Sequence, residues 1–307
     1  MELLPIHIPP TLRINWVSDT LRAEWEPRLQ LAAQTVAAME VATVQVGLRD
    51  ATTVHVRPED LPAKQAEWMH DGLVFLPLRQ VRRYAGFAHG HPPVVSGQPW
   101  DYYGVLARTL EAAVTWQQAE HGGRMDHAAV GQLLDYPPCC IKAFNERWAR
   151  GMFDTIWEQS AAGRAVTETV RQVTGSAALS MMLRYAGVRA VPHLPCSWTC
   201  KRSKAQAARW GALAATRGMA EGWAAILDWL KLPASWEAYK GIAIVRTPVM
   251  RLIVNSLPCY PAYEVQWLGE GPPAVRTRGL RFPYVGNEPE WLTAMRAGGT
   301  VPLTAAG

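Results

Sequence analysis

Four of the five cysteines in this chain stand in two close groups, and their placement constrains the fold more than any other feature of the sequence. Cys139 and Cys140 are adjacent, Cys196 and Cys200 are four residues apart, and Cys259 stands alone. In a reducing compartment such grouping indicates metal or thiol chemistry before disulfides. If the four thiols act together, the fold has to bring two distant segments to one point.

Both groups are predicted at the start of a helix. Pro137 and Pro138 end the preceding structure and set up a helix that contains the first pair, and Cys200 opens a long helix rich in alanine and lysine. The unpaired N–H groups and positive dipole end at a helix N-terminus stabilise thiolate over thiol. Basic side chains close in sequence would lower the thiol pKa values further, namely Lys142, Lys201, Arg202 and Lys204.

The spacing of the four cysteines bears on which metal they hold. Structural zinc takes ligands spaced C-x2–4-C, and the spacing of Cys196 and Cys200 fits that rule. Cys139 and Cys140 fit it badly, because adjacent side chains diverge. A cubane cluster offers a separate iron to each ligand, so adjacent cysteines can take different corners. The sequence therefore predicts a [4Fe–4S] cluster, with zinc, a thiol or disulfide redox site and inert cysteines as the alternatives.

The tandem pair with two distant cysteines resembles the cluster ligation in the quinone-side small subunit of respiratory complex I, over these four residues alone. Four thiolates saturate a cluster, whereas three leave one iron open to a substrate and free one cysteine of the tandem pair for sulfur or proton transfer. A dedicated electron carrier seldom needs 307 residues. The length therefore favours an enzyme.

Other side chains near the cysteines are candidates for chemistry. His193, three residues before Cys196, could donate a hydrogen bond to a cluster sulfur or carry a proton. Cys259, in a loop between two predicted strands, is a second candidate for sulfur or proton transfer. A purely structural role is the alternative for both. Tyr136 and Trp198 flank the cysteine groups and would shield a cluster from water.

The hydrophobic pattern predicts an α+β protein without the regular alternation of a doubly wound fold. Its N-terminal segment is mixed α/β, with a helix capped by Ser18 or Asp19, a strand over 41–49 and another at 52–58. A helical middle follows from Trp100 to about Asp228, with helices over 102–123, 176–187 and 201–232. Antiparallel strands return over 241–268. We expect two domains, residues 1–99 and 100–307.

The charge is concentrated in the last third of the chain, where residues 201–307 carry thirteen basic and seven acidic side chains. Most excesses of this kind are solvated surface, and as a functional signal this one suits a small anionic substrate or partner surface better than a nucleic acid. The leading hypothesis is an iron–sulfur enzyme that acts by redox, sulfur-transfer or Lewis-acid chemistry, with an electron donor as partner. It would be an oxidoreductase, a sulfur transferase or a lyase.

Two other functions compete with it. One is a zinc-stabilised protein that binds RNA through arginine and tryptophan, and the other is a thiol enzyme without metal. Nucleotide-binding glycine motifs, a G-x-S-x-G elbow and a C-x3-C-x2-C run are absent from the sequence. The first residues lack a basic segment before an apolar run, and no apolar stretch reaches membrane-spanning length. We expect a cytoplasmic protein without a membrane partner.

Overall fold

The computed structural model describes residues 12–83, 94–120, 125–149, 155–161, 170–239, 242–254 and 263–269. Helices and strands are both present, and the cysteine groups lie in the helical middle, so the predicted α+β class is confirmed. The described strands are β1 (Leu12–Trp16), β2 (Ala51–Val56), β3 (Val74–Arg82), β4 (Trp100–Ala107), β5 (Val170–Val173), β6 (Ala234–Tyr239), β7 (Ile242–Arg246), β8 (Met250–Val254) and β9 (Tyr263–Trp267). The described helices are α1 (Asp19–Gln45), α2 (Leu61–His70), α3 (Leu110–Ala119), α4 (His127–Leu133), α5 (Pro138–Ala149), α6 (Thr155–Ala161), α7 (Lys201–Thr216) and α8 (Ala220–Lys231).

The strands form two sheets. The larger has the order β1-β8-β7-β6-β9-β5, antiparallel throughout except for the parallel pair of β5 and β9. The smaller has the order β2-β4-β3 and is antiparallel. Strand pairing therefore joins distant parts of the chain, since β1 pairs with β8 and β4 with β2. The division into two domains at residue 100 stays a prediction.

Tryptophan dominates the main core. Trp229 of α8, Trp236 of β6 and Trp267 of β9 are almost completely buried, and Trp25 of α1 meets Trp229 edge to face at 4.8 Å between ring centroids. Helices α1 and α8 cross closely because Gly222 has no side chain, and a Cβ there would overlap the Thr35 hydroxyl. Packing of these rings against one another stabilises the core.

Several local predictions were wrong, and tertiary pairing explains them. Residues 41–45 continue α1 instead of forming a strand, because the core buries Val44 on one helix face. Residues 100–107 form the central strand of the small sheet, and helix α3 begins only at Leu110, after the Thr109 cap. Residues 176–187 contain two short 3-10 turns, and the helix predicted over 201–232 breaks at Gly218, whose φ is +73°.

Capping residues were predicted more successfully. The Ser18 hydroxyl accepts a hydrogen bond from Leu21 N, which confirms Ser18 as the N-cap of α1.

None of the helices that the structure describes has both the length and the apolar character needed to cross a lipid bilayer.

Candidate metal centre

The two cysteine groups meet where α5 and α7 begin. Cys139 and Cys140 are the second and third residues of α5, after Pro138. Cys200 is the N-cap of α7, and Cys196 lies in the loop that leads to it. The prediction that both groups lie at helix starts is confirmed. Each helix start fixes the direction of its cysteines, because its first turn is already held by backbone hydrogen bonds such as Cys140 N to Pro137 O at 2.8 Å.

The four thiol groups form one compact cluster. Their Sγ atoms all lie within 4.8 Å of one another. The Sγ of Cys139 is 4.0 Å from that of Cys140 and 3.8 Å from that of Cys200, and the Cys140 and Cys200 atoms are 3.8 Å apart. These separations are far above the S–S bond length of about 2.0 Å, so all four cysteines are free thiols. The cluster could hold a metal ion.

Hydrogen bonds surround the sulfur atoms. The Cys196 N–H donates to Cys140 Sγ at 3.3 Å. The Ser203 hydroxyl donates to Cys200 Sγ at 3.3 Å and lies 3.3 Å from Cys140 Sγ. Because Ser203 is fully buried on the first turn of α7, its hydroxyl acts as a fixed polar partner for the thiols. Such bonds orient metal ligands and modulate their basicity.

The thiols differ in their protonation. Burial tends to raise the pKa of Cys200, but hydrogen bonds from the Ser203 hydroxyl and backbone and from neighbouring thiols lower that pKa to about 7. Burial raises the pKa of Cys196 to about 11 and also raises the pKa of Cys140. The basic side chains noted in the sequence, Lys142, Lys201, Arg202 and Lys204, are all exposed. Burial and local hydrogen bonds therefore set these pKa values.

His193 lies beside the cluster but does not bond to sulfur. It is 3% exposed, and its Nε2 lies 2.7 Å from the Ser203 Oγ. Burial and the nearby positive charge of Arg49 lower the pKa of His193 to about 3, so the imidazole is neutral. The sequence predicted a direct hydrogen bond from His193 to a sulfur atom. Instead, Ser203 lies between them and bonds to both His193 and Cys200. The sequence analysis missed Ser203, although its position one helical turn after Cys200 could have indicated it.

Three other residues were singled out in the sequence: Cys259, Tyr136 and Trp198. Cys259 lies outside the described residues. The Tyr136 ring is 5.2 Å from the His193 ring, and its hydroxyl donates to Pro192 O at 3.3 Å. Trp198 stacks on Trp267 at 5.4 Å between ring centroids. Both side chains therefore pack close to the cysteine loop, as expected of groups that exclude water.

A cavity of about 300 Å³ adjoins the cluster. It lies between α4, α5 and residues 192–194, with Cys140 and His193 in its lining. The two helices approach closely at Gly131, where a Cβ would lie 2.9 Å from the Ile141 side chain. No sequence pattern indicates this cavity, because its lining comes from segments that only the fold brings together.

A buried charge cluster was also missed. The Glu40 carboxylate of α1 contacts Arg49, accepts from Arg189 Nη2 at 3.0 Å, and accepts from the Thr52 hydroxyl at 3.2 Å. Burial would raise the pKa of Glu40, but the charges of the two arginines lower it to about 2. The carboxylate therefore stays ionised and ties α1 to the segment that precedes His193.

One family model matches part of the chain, and the matched part includes the cysteine cluster. A family model described as "Protein of unknown function (DUF483)" matches residues 112–211. That stretch runs from α3 into α7 and contains Cys139, Cys140, Cys196 and Cys200 as well as Ser203. No curated protein and no solved structure matches the chain.

Proposed function

We propose that this protein is a metalloenzyme for a small-molecule substrate. Cys139, Cys140, Cys196 and Cys200 would hold the metal, and the cavity beside Cys140 would take the substrate. The observation that carries the proposal is the convergence of four free thiols within 4.8 Å of one another, in a partly buried site. Four unpaired thiols so close together are typical of metal ligands.

The spacing of the sulfur atoms supports a single tetrahedral ion, and zinc is the ion that best suits four thiolates. With Zn–S bonds of about 2.3 Å, the edges of a tetrahedron of thiolates are about 3.8 Å long. The three separations given above are 3.8 to 4.0 Å. The adjacent pair reaches one point after all, because both residues lie in the first turn of α5. A closed zinc site of this kind has no open position for a substrate, so zinc would be structural: it would join the starts of α5 and α7 and leave the chemistry to the side chains of the cavity.

A [4Fe–4S] cluster is the second candidate. The tandem pair with two distant cysteines supports it, as does the position of Cys140 on the cavity wall, where a cluster would meet a substrate. Thiolates that bind separate irons of a cubane lie farther apart than the ligands of one ion, so Cys139, Cys140 and Cys200 would have to separate to hold a cluster. Such a cluster would supply redox, sulfur-transfer or Lewis-acid chemistry.

Metal analysis of anaerobically purified protein, combined with an ultraviolet–visible spectrum, tests the proposal. We expect one zinc per chain and no visible absorption. Four irons per chain with broad visible absorption would establish the cluster instead. Protein that contains neither metal, even after reconstitution, would overturn the proposal, and alkylation of one reactive cysteine that abolishes activity would then indicate a thiol enzyme.

A matched pair of variants locates the metal. Cys139→Ser removes a thiol of the cluster and should abolish stoichiometric metal binding, whereas Cys259→Ser removes the remaining cysteine of the chain and should leave it unchanged. Equal metal content in both variants would contradict the assignment of the four ligands.

A further inference from the structure

We infer that the cavity beside Cys140 and His193 binds a small, uncharged aromatic molecule that carries one N–H or O–H donor. The role of this molecule as substrate rests on the proposed function, but its binding is argued from the cavity alone. The volume of about 300 Å³ is at the lower end of the range for small-molecule pockets, which matches a ligand of one or two fused rings.

The walls of the cavity suit an uncharged ring. Val130 of α4, Ile141 and Phe144 of α5, and Leu194 supply apolar surface. None of the described residues that line the cavity is a lysine, an arginine or a carboxylate. A charged ligand would lose its hydration here without gaining an ionic partner, and that loss is costly. Among the described residues beyond position 200, no basic side chain contributes to this lining.

The polar end of the ligand is specified by His193. The single proton of the Ser203 hydroxyl is donated to Cys200 Sγ at 3.3 Å. Because that proton is used, we assign the histidine as the donor of the 2.7 Å hydrogen bond between His193 Nε2 and Ser203 Oγ. In a neutral imidazole with its proton on Nε2, Nδ1 is an acceptor.

That acceptor is buried and has no hydrogen-bond partner, in a side chain that is 3% exposed and lines the cavity. A buried acceptor without a partner is costly, so a ligand that donates to it gains affinity. The same hydrogen bonds connect the ligand to the metal centre, through Nε2, Ser203 and Cys200. The Tyr136 ring, 5.2 Å from the His193 ring, adds an aromatic surface for a planar ligand.

The experiment compares three probes by calorimetry on the metal-loaded full chain. Indole has a ring N–H, benzofuran has the same shape without a donor, and benzoate carries a charge. We expect indole to bind about tenfold more tightly than benzofuran, the effect of one buried hydrogen bond. Benzoate should bind most weakly. Equal affinity for indole and benzofuran, or tighter binding of benzoate, would overturn the inference.

Variants assign the binding to this cavity. His193→Gln keeps a donor near Ser203 but has no acceptor at the Nδ1 position, so the preference for indole over benzofuran should disappear. Val130→Phe fills the cavity and should weaken both probes at least tenfold, whereas the same change at Val95, which is 44% exposed, should weaken neither. Equal effects of the two phenylalanine substitutions would overturn the cavity as the site.

The outcomes also separate this inference from the proposed function. Protein that lacks metal but retains the preference for indole would refute the metalloenzyme and leave the cavity site standing. Protein that holds its metal but shows no saturable binding of indole would refute the cavity site alone.

Discussion

The buried carboxylate of Glu40 offers a direct test of how charge stabilises this fold. Its side chain is 15% exposed and contacts Arg49, whose side chain is 1% exposed. The arginines lower its pKa from 4.5 to about 2. That difference corresponds to about 3 kcal/mol of folding free energy at neutral pH. Glu40→Gln should therefore lower the free energy of unfolding by about 3 kcal/mol at pH 7, because the buried Arg49 and the partly buried Arg189 lose their anion.

The pH dependence follows from the sign of the shift. Between pH 4.5 and pH 2 the unfolded chain binds the Glu40 proton more readily than the native protein does, so stability rises with pH in this interval. The contribution is complete above pH 4.5 and is lost as the pH falls towards 2. The difference between native protein and Glu40→Gln should shrink to about 1 kcal/mol at pH 3.

Urea unfolding at pH 7, 4.5 and 3 measures this difference. Glu26→Gln is the matched control, because Glu26 pairs with Arg22 at the exposed surface and should change stability little at any pH. A difference between native protein and Glu40→Gln that stays constant from pH 7 to pH 3 would refute the reasoning. A loss of stability in Glu40→Gln as small as that in Glu26→Gln would also refute it.

Three further substitutions test the centre and the packing. Ser203→Ala removes the donor to Cys200 Sγ and should weaken metal affinity about tenfold in a chelator competition, whereas Ser203→Thr, which keeps the hydroxyl, should weaken it less. Gly222→Ala places a methyl group against Thr35 and should cost about 1–3 kcal/mol in urea unfolding, part of which Thr35→Ala in the same chain should recover. Asp126→Ala removes the acceptor for two backbone N–H groups of α4 and should cost about 1 kcal/mol, whereas Asp126→Asn should cost less; equal losses would contradict the capping role.

The comparison of sequence with structure shows which parts of the site were predictable. The cysteine groups at the starts of α5 and α7 could be predicted, because prolines and helix caps act within a few residues of the chain. The spacing of their sulfur atoms could not. It depends on how α5 and the loop before α7 pack.

In the fold, too, local features could be predicted from the sequence and long-range pairing could not. Ser18 was predicted as a cap because its hydroxyl bonds to a backbone group only three residues away. Residues 102–107 were predicted as helix, because their β pairing depends on β2 and β3, far away in the sequence. Local sequence preference is too weak to resist such long-range pairing.

The α+β class and the position of four cysteines at two helix starts could be predicted from the residues alone. The distances between the thiols, the hydrogen bonds by which Ser203 links His193 to Cys200, and the cavity beside Cys140 emerge only in the folded protein. The two sets of features differ in the range of the interactions that fix them. Caps and turns are fixed by neighbours in sequence, whereas sulfur separations, buried ion pairs and cavities are fixed by packing between distant segments.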